Sequence, residues 1–311
     1  MYDKIRKSVF PVVAALIWGV AFVAQKNNTA GALTFNMSRS VVAFFFLLPV
    51  IIVFTKGDFR HILWEKDKSE TLRLWIGGIL CGVALSVATF FQQFGLDCGT
   101  EAGKASFLTS LYTVLVPLFG LFLKKKAPVN VWISVVISLA GLYLLCVKSG
   151  FTVRPSDILV VASSVFFACH ILLIDKFSPV CNGIKMSCIQ FLVCGVLSGI
   201  GALIFEEPNM GQIFDNLGAV LYLGIGSSGI AYTLQIIAQR GANPTVMTIL
   251  LSLECVFGTI AGAIYLREVM LPREYLGCAL VLFAVILSQL PVKELWAKWK
   301  NRKREKRGKR V

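Results

Sequence analysis

Apolar runs of about 20 residues recur along this chain from one end to the other, most of them nearly free of charge. They fall near 9–25, 33–54, 72–94, 101–123, 129–147, 156–175, 184–205, 216–238, 244–266 and 274–290. Written as a helix at about 1.5 Å per residue, a run of that length crosses a hydrocarbon core of about 30 Å. Lipid offers the backbone no partners, and a helix satisfies its own. A membrane barrel needs roughly ten-residue alternating segments, and none stands out. The expected fold class is an all-α polytopic membrane protein with ten transmembrane helices. Composition agrees: 15% of the 311 residues are charged, against about 25% in soluble domains.

The net charge of +14 is unevenly placed. The segment 293–311 holds ten Lys or Arg against two Glu. Trp296 and Trp299 follow an apolar helix there, so a tail lying on anionic cytoplasmic headgroups fits better than a nucleic-acid partner. Lys4, Arg6 and Lys7, then Lys56, Arg60, Lys66, Lys68 and Arg73, then the lysines at 124–126, then Lys176 and Lys185, all fall on the tail's side of an even number of spans. "FEEPNMGQIFDN" (205–216), on the opposite side, has no positive charge; Arg267 and Arg273 are exceptions, each beside a Glu. The expectation is a multi-pass plasma (cytoplasmic, inner) membrane protein with both termini cytoplasmic. The basic, then apolar N-terminus resembles a signal peptide but lacks a small-x-small cleavage site, and reads as the first span.

Nine cysteines match no zinc spacing, and most sit inside apolar runs as small packing residues. No cofactor or metal is implied, and no oligomeric state is specified.

Sliding Ser110 onto Ser252, a shift of 142, also superposes Gly82 on Gly224, Ser86 on Ser228, Gln93 on Gln235, Gly99 on Gly241 and Tyr112 on Glu254 without a gap. Five spans per half is odd, so the second half runs inverted in the membrane. The expected domains are 1–147 and 156–290, two inverted five-helix repeats, and 291–311, the basic tail. Inverted repeats place a site near the midplane between them.

Glu254 lies about ten residues into its span, about 15 Å, half the hydrocarbon thickness. An ionised carboxylate there costs on the order of 3 kcal/mol. A polar cavity or protonation relieves it. Gly258 and Gly262 follow on the same face, a seam that admits a close helix. Glu254 is a candidate proton carrier or substrate-amine partner; a neutral Glu bonded inside the bundle is the plainer reading. Ser86, Thr89 and Gln93, and Ser228, Tyr232 and Gln235, form polar stripes that either line a cavity or tie helices together. Arg39 suits a substrate carboxylate, or a structural pairing with a loop acid or a helix C-terminus. His170 reads as a packed core histidine, and Trp18 as packing or cavity wall.

"GTEAGKAS" (99–106) fails as a phosphate loop: its Gly spacing is short and Ala follows Lys104. "GSSG" (226–229) invites a membrane serine hydrolase with Ser228 as nucleophile and His170 as base. Four small residues are a weak motif for it.

"FFQQFGLDCGTEAGKASFLTSLYTVLVPLFG" and "AYTLQIIAQRGANPTVMTILLSLECVFGTIAGAIYLRE" resemble the EamA-like family of the drug/metabolite transporter superfamily, over about 8–147 and 156–290. The resemblance implies ten helices in two inverted repeats and transport of small metabolites, often export of amino acids. It implies an Arg opening the second helix, matched by Arg39, and a functional Glu, matched by Glu254. The family's usual Pro after that Glu is Cys255 here, so a proline kink is expected only from Pro117 in span four.

The chain is thus expected to be a non-enzymatic secondary carrier, exporter or exchanger, of small polar or zwitterionic metabolites. Its substrate site would hold Glu254, Tyr112, Gln93, Gln235, Tyr232, Arg39 and Trp18, with protons coupled through Glu254 or simple exchange. A serine hydrolase and a channel or receptor are the rivals.

Overall fold

The computed structural model describes residues 2–25, 29–57, 61–125, 127–147, 154–265 and 270–290. The basic tail with Trp296 and Trp299, and Lys126, Arg60 and Arg267, lie outside the described residues.

The described residues form helices and no strand. In order these are α1 (Tyr2–Gln25), α2 (Ala32–Phe54), α3 (Lys68–Asp97), α4 (Ala102–Thr109), α5 (Tyr112–Phe122), α6 (Val129–Cys146), α7 (Pro155–Phe177) and α8 (Gly183–Phe205). There follow α9 (Met210–Asp215), α10 (Leu217–Leu221), a π-helical segment (Tyr222–Tyr232), α11 (Thr233–Gln239), α12 (Pro244–Leu251), α13 (Leu253–Tyr265) and α14 (Pro272–Gln289). Eight described segments are long and apolar enough to cross a membrane. The chain is therefore a multi-pass helical membrane protein. The first and tenth expected spans fold as α1 and α14, outside that set of eight. In α14 the opening Pro272, Arg273 and Glu274 dilute the apolar run.

Contacts between helix ends define two faces. On the first, Arg6 caps carbonyls at the end of α11, donating to Ile237 O (2.7 Å) and Arg240 O (2.8 Å). Lys185 there pairs with Glu65 at 3.0 Å, and Ser8 meets Gln289 at 3.2 Å. Arg6 and then Lys7, both bonded to Asp3, hold its carboxyl below the usual range. On the second face Lys104 pairs with Asp157, and Arg273 donates to Leu144 O at 3.1 Å.

Also on the second face, Glu206 at the end of α8 accepts from Leu33 N (2.9 Å), Thr34 N (2.8 Å) and Thr34 Oγ1 (2.7 Å). It thereby satisfies the first turn of α2, where a carboxylate also meets the positive helix end. Removing such a cap costs about 1–2 kcal/mol. Glu206→Ala is expected to lower the melting midpoint in detergent by a few degrees; an unchanged midpoint would show that water replaces the carboxylate at no cost.

Positions 142 residues apart share local structure. Gly99 and Gly241 both adopt positive φ, 96° and 68°, just past the ends of α3 and α11, a conformation open to glycine. The fourth and ninth expected spans are each broken, at Ser110–Leu111 and at Ser252. At both breaks the amide bond tightens to the third residue back: Thr113 N to Ser110 O (2.9 Å) and Cys255 N to Ser252 O (3.2 Å). Proline is not the cause. Pro117 lies inside α5, beyond the first break, and in span nine Pro244 only opens α12, eight residues before the break. Ser252 Oγ bonds back to Ile249 O at 2.8 Å at this break, although Ser163 and Ser164 make the same bond inside the unbroken α7. Packing repeats too. α1 lies on α13 as α7 lies on α4 and α5, and α3 lies on α8 as the π segment lies on α2.

Candidate substrate site

The two breaks meet a cavity bounded by α1, α2, α3, α7, the π segment and α11. The space free of atoms in it, open solvent at the mouth included, is about 540 Å³. Toward the first face the bundle is filled by Ala14, Ala238 and Met247, with Phe10, Phe119 and Ala242 packed against them. Toward the second face the lining continues through Ala21 to Gln25, the last residue of α1.

Glu254 and Tyr112, two residues beyond the paired breaks, both face this cavity. The Tyr112 hydroxyl donates to Glu254 Oε1 at 3.3 Å. That exceeds the usual O–H···O spacing of about 2.7–2.8 Å, so the carboxyl keeps capacity for a ligand. Among the described residues no Lys or Arg pairs with Glu254.

Arg39 is 6% exposed and also lines the cavity. The Tyr232 hydroxyl is in hydrogen-bonding reach of it. Its Nε has no acceptor, and no carboxylate pairs with it among the described residues. The alternative of a structural acid for Arg39 thus has no partner among the described residues.

Aromatic rings shape the middle. Trp18 packs on Tyr232 with ring centroids 4.7 Å apart and donates Nε1 to Ser227 O at 3.2 Å. Tyr232 also meets the edges of His170 and Phe191, each at 5.8 Å.

Six of the seven site residues expected from sequence, Trp18, Arg39, Tyr112, Tyr232, Gln235 and Glu254, line this one cavity. Gln93 does not. It donates to Asp97 Oδ1, one turn along α3, at 2.9 Å, and Gln92 lines the cavity instead, bonded to Thr109 Oγ1 at 3.0 Å. Of the rest of that stripe, Ser86 ties α3 to α8 through Ser198 at 3.3 Å, while Thr89 bonds back within α3 to Leu85 O at 2.8 Å. In the second stripe Ser227, not Ser228, reaches the cavity. The π segment explains the change. Its i→i+5 bonding stacks Ser227 over Tyr232, where an α-helix would stack Ser228.

His170 is packed, at 1% exposed, and forms part of the cavity wall. Its Nε2 meets Gln190 Oε1 at 3.1 Å, while the Ser228 hydroxyl has no partner. The nucleophile–base contact that a hydrolase needs is not formed in this structure. A signal for His170 was present in the sequence, as a lone histidine in an apolar helix, but no spacing tied it to the other site residues.

The fold is that of a multi-pass helical membrane protein with a cavity among its helices. The model of the EamA-like transporter family matches residues 8–147 and 154–290. An uncharacterized transporter of Archaeoglobus fulgidus is 30% identical over 287 residues, covering 90% of this chain and 84% of the relative. The uncharacterized transporter YwfM of Bacillus subtilis is 22% identical over 294 residues, covering 92% and 95%. A solved crystal structure described only as that of a protein superposes with a TM-score of 0.75 at 18% identity, over 93% of this chain and 98% of that one. The chain belongs to the EamA-like transporter family.

Proposed function

We propose that the chain is a secondary carrier, exporter or exchanger, for small zwitterionic metabolites such as amino acids. Ten helices in two inverted halves, 1–147 and 156–290, rock about the midplane cavity. Both termini are cytoplasmic in the plasma membrane, and the basic tail rests on anionic headgroups. One observation carries the reading: a buried guanidinium, Arg39, and a buried carboxyl, Glu254, face the same cavity, and neither has an ionic partner among the described residues. Either charge alone is costly to bury. A zwitterion offsets both, its carboxylate on Arg39 by a forked contact and its ammonium near Glu254. The paired breaks, paired glycines and exchanged helix packings support the inverted repeat. In the substrate-free state Glu254 carries the coupling proton.

Counterflow tests this. Purified protein in liposomes preloaded with unlabelled amino acids is given labelled ones at two pH values. Wild type is expected to exchange one class with a rate that changes with pH. Glu254→Gln is expected to exchange the same class with no pH dependence. A mutant profile identical to wild type would make Glu254 a packing residue. Saturation of exchange separates a carrier from a channel.

A further inference from the structure

Resting on that reading of a zwitterion between Arg39 and Glu254, we propose that His170 and Gln235 form a third recognition point. It selects amino acids with neutral hydrogen-bonding side chains, hydroxyls and amides, over apolar isosteres.

Both residues line the cavity, and both are 1% exposed. They flank Tyr232 on the wall built by α7 and the start of α11. The His170 ring stands edge-on to Tyr232, with centroids 5.8 Å apart, and Gln235 follows Tyr232 by one helical turn. His170 Nε2 is engaged by Gln190 Oε1 at 3.1 Å. With Gln190 Oε1 as the acceptor, Nε2 carries the proton and Nδ1 keeps a lone pair; Gln190 Nε2 is also without a partner. That Nδ1 has no partner, nor has Gln235 Oε1.

Buried polar atoms are almost always satisfied, so two orphaned acceptors on one cavity wall call for a donor. No carboxylate accompanies them on this patch; Glu254, the one carboxyl lining the cavity, is already assigned to the ammonium end. The matching group is therefore a neutral O–H or N–H. An apolar side chain leaves both acceptors buried and unpaired. Sites built around a substrate hydrogen bond reject analogues that lack it.

The test is counterflow with matched pairs: threonine against valine, asparagine against leucine, glutamine against methionine. In wild type the polar member of each pair is expected to exchange at least about tenfold better. Gln235→Met and His170→Phe, each checked as a monodisperse protein, are expected to bring the pairs toward parity. The readout is the ratio within a pair, so a general loss of rate does not mimic the result. The two variants remove different atoms, so one that fails to fold leaves the other. Equal exchange within the wild-type pairs overturns the third point while leaving the Arg39–Glu254 reading intact. Discrimination that survives in both variants also overturns it. Absence of exchange for every zwitterion overturns both.

Discussion

Arg39→Gln is expected to lower zwitterion exchange about a hundredfold while its melting midpoint stays level or rises. Losing one member of a buried, hydrogen-bonded charge pair costs about 2–5 kcal/mol, and about 2.7 kcal/mol is a hundredfold. The direction of the stability change carries the argument. A guanidinium that holds the fold together has a counter-ion, and its removal strands the partner. Arg39 has none among the described residues, and its Nε has no acceptor. Substrate-free protein therefore bears the desolvation of that charge with a neutral hydroxyl beside it and no counter-ion among the described residues, and a neutral side chain relieves it. Arg39→Lys keeps the charge but loses the fork, and an intermediate loss is expected. Counterflow rates and thermal melts in detergent, with and without substrate, read both quantities. Substrate should raise the wild-type midpoint and leave that of Arg39→Gln unchanged. A variant that melts lower and transports normally would make Arg39 structural.

Much of this arrangement is written in the register between the two halves. The alignment of Tyr112 with Glu254 pairs the two side chains that touch at 3.3 Å. The alignment of Gly99 with Gly241 marks two glycines with positive φ. What periodicity alone cannot resolve is which of two adjacent polar residues faces inward. Gln92 and Gln93 are equivalent in composition, and the choice falls on the acceptor one turn along, Asp97, which draws Gln93 away. Ser227 and Ser228 exchange roles because the segment is π-helical, and a 3.6-residue period does not apply there. The break in span nine was hidden for a similar reason. Proline advertises a kink, whereas at Ser252 the sequence carries only a serine, a residue that also sits inside unbroken helices such as α7.

Gly19→Ala is expected to destabilise the protein by about 1–3 kcal/mol and to lower exchange about tenfold or more, through Glu254. Gly19 lies on α1 where α13 crosses it. A Cβ there would fall 2.7 Å from Glu254 O, 2.7 Å from Gly258 N and 2.8 Å from Phe257 Cβ. The first two are backbone atoms, which no rotamer change can move. The approach is mutual: a Cβ on Gly258 would lie 3.2 Å from Gly19 O. The glycine seam after Glu254 thus meets a glycine of α1, the small-residue geometry that lets membrane helices touch. Helix propensity opposes the predicted loss, since alanine is favoured over glycine in a helix by about 1 kcal/mol. Gly218→Ala, whose Cβ meets nothing within 4 Å, serves as the control for that gain. If Gly19→Ala melts with Gly218→Ala and exchanges at the wild-type rate, α1 and α13 separate without cost and the site does not depend on their contact. If it melts lower and loses exchange while Gly218→Ala does neither, the backbone of Glu254 is held in place by α1. The carboxyl that lines the cavity is then positioned by the absence of a single methyl group on the neighbouring helix.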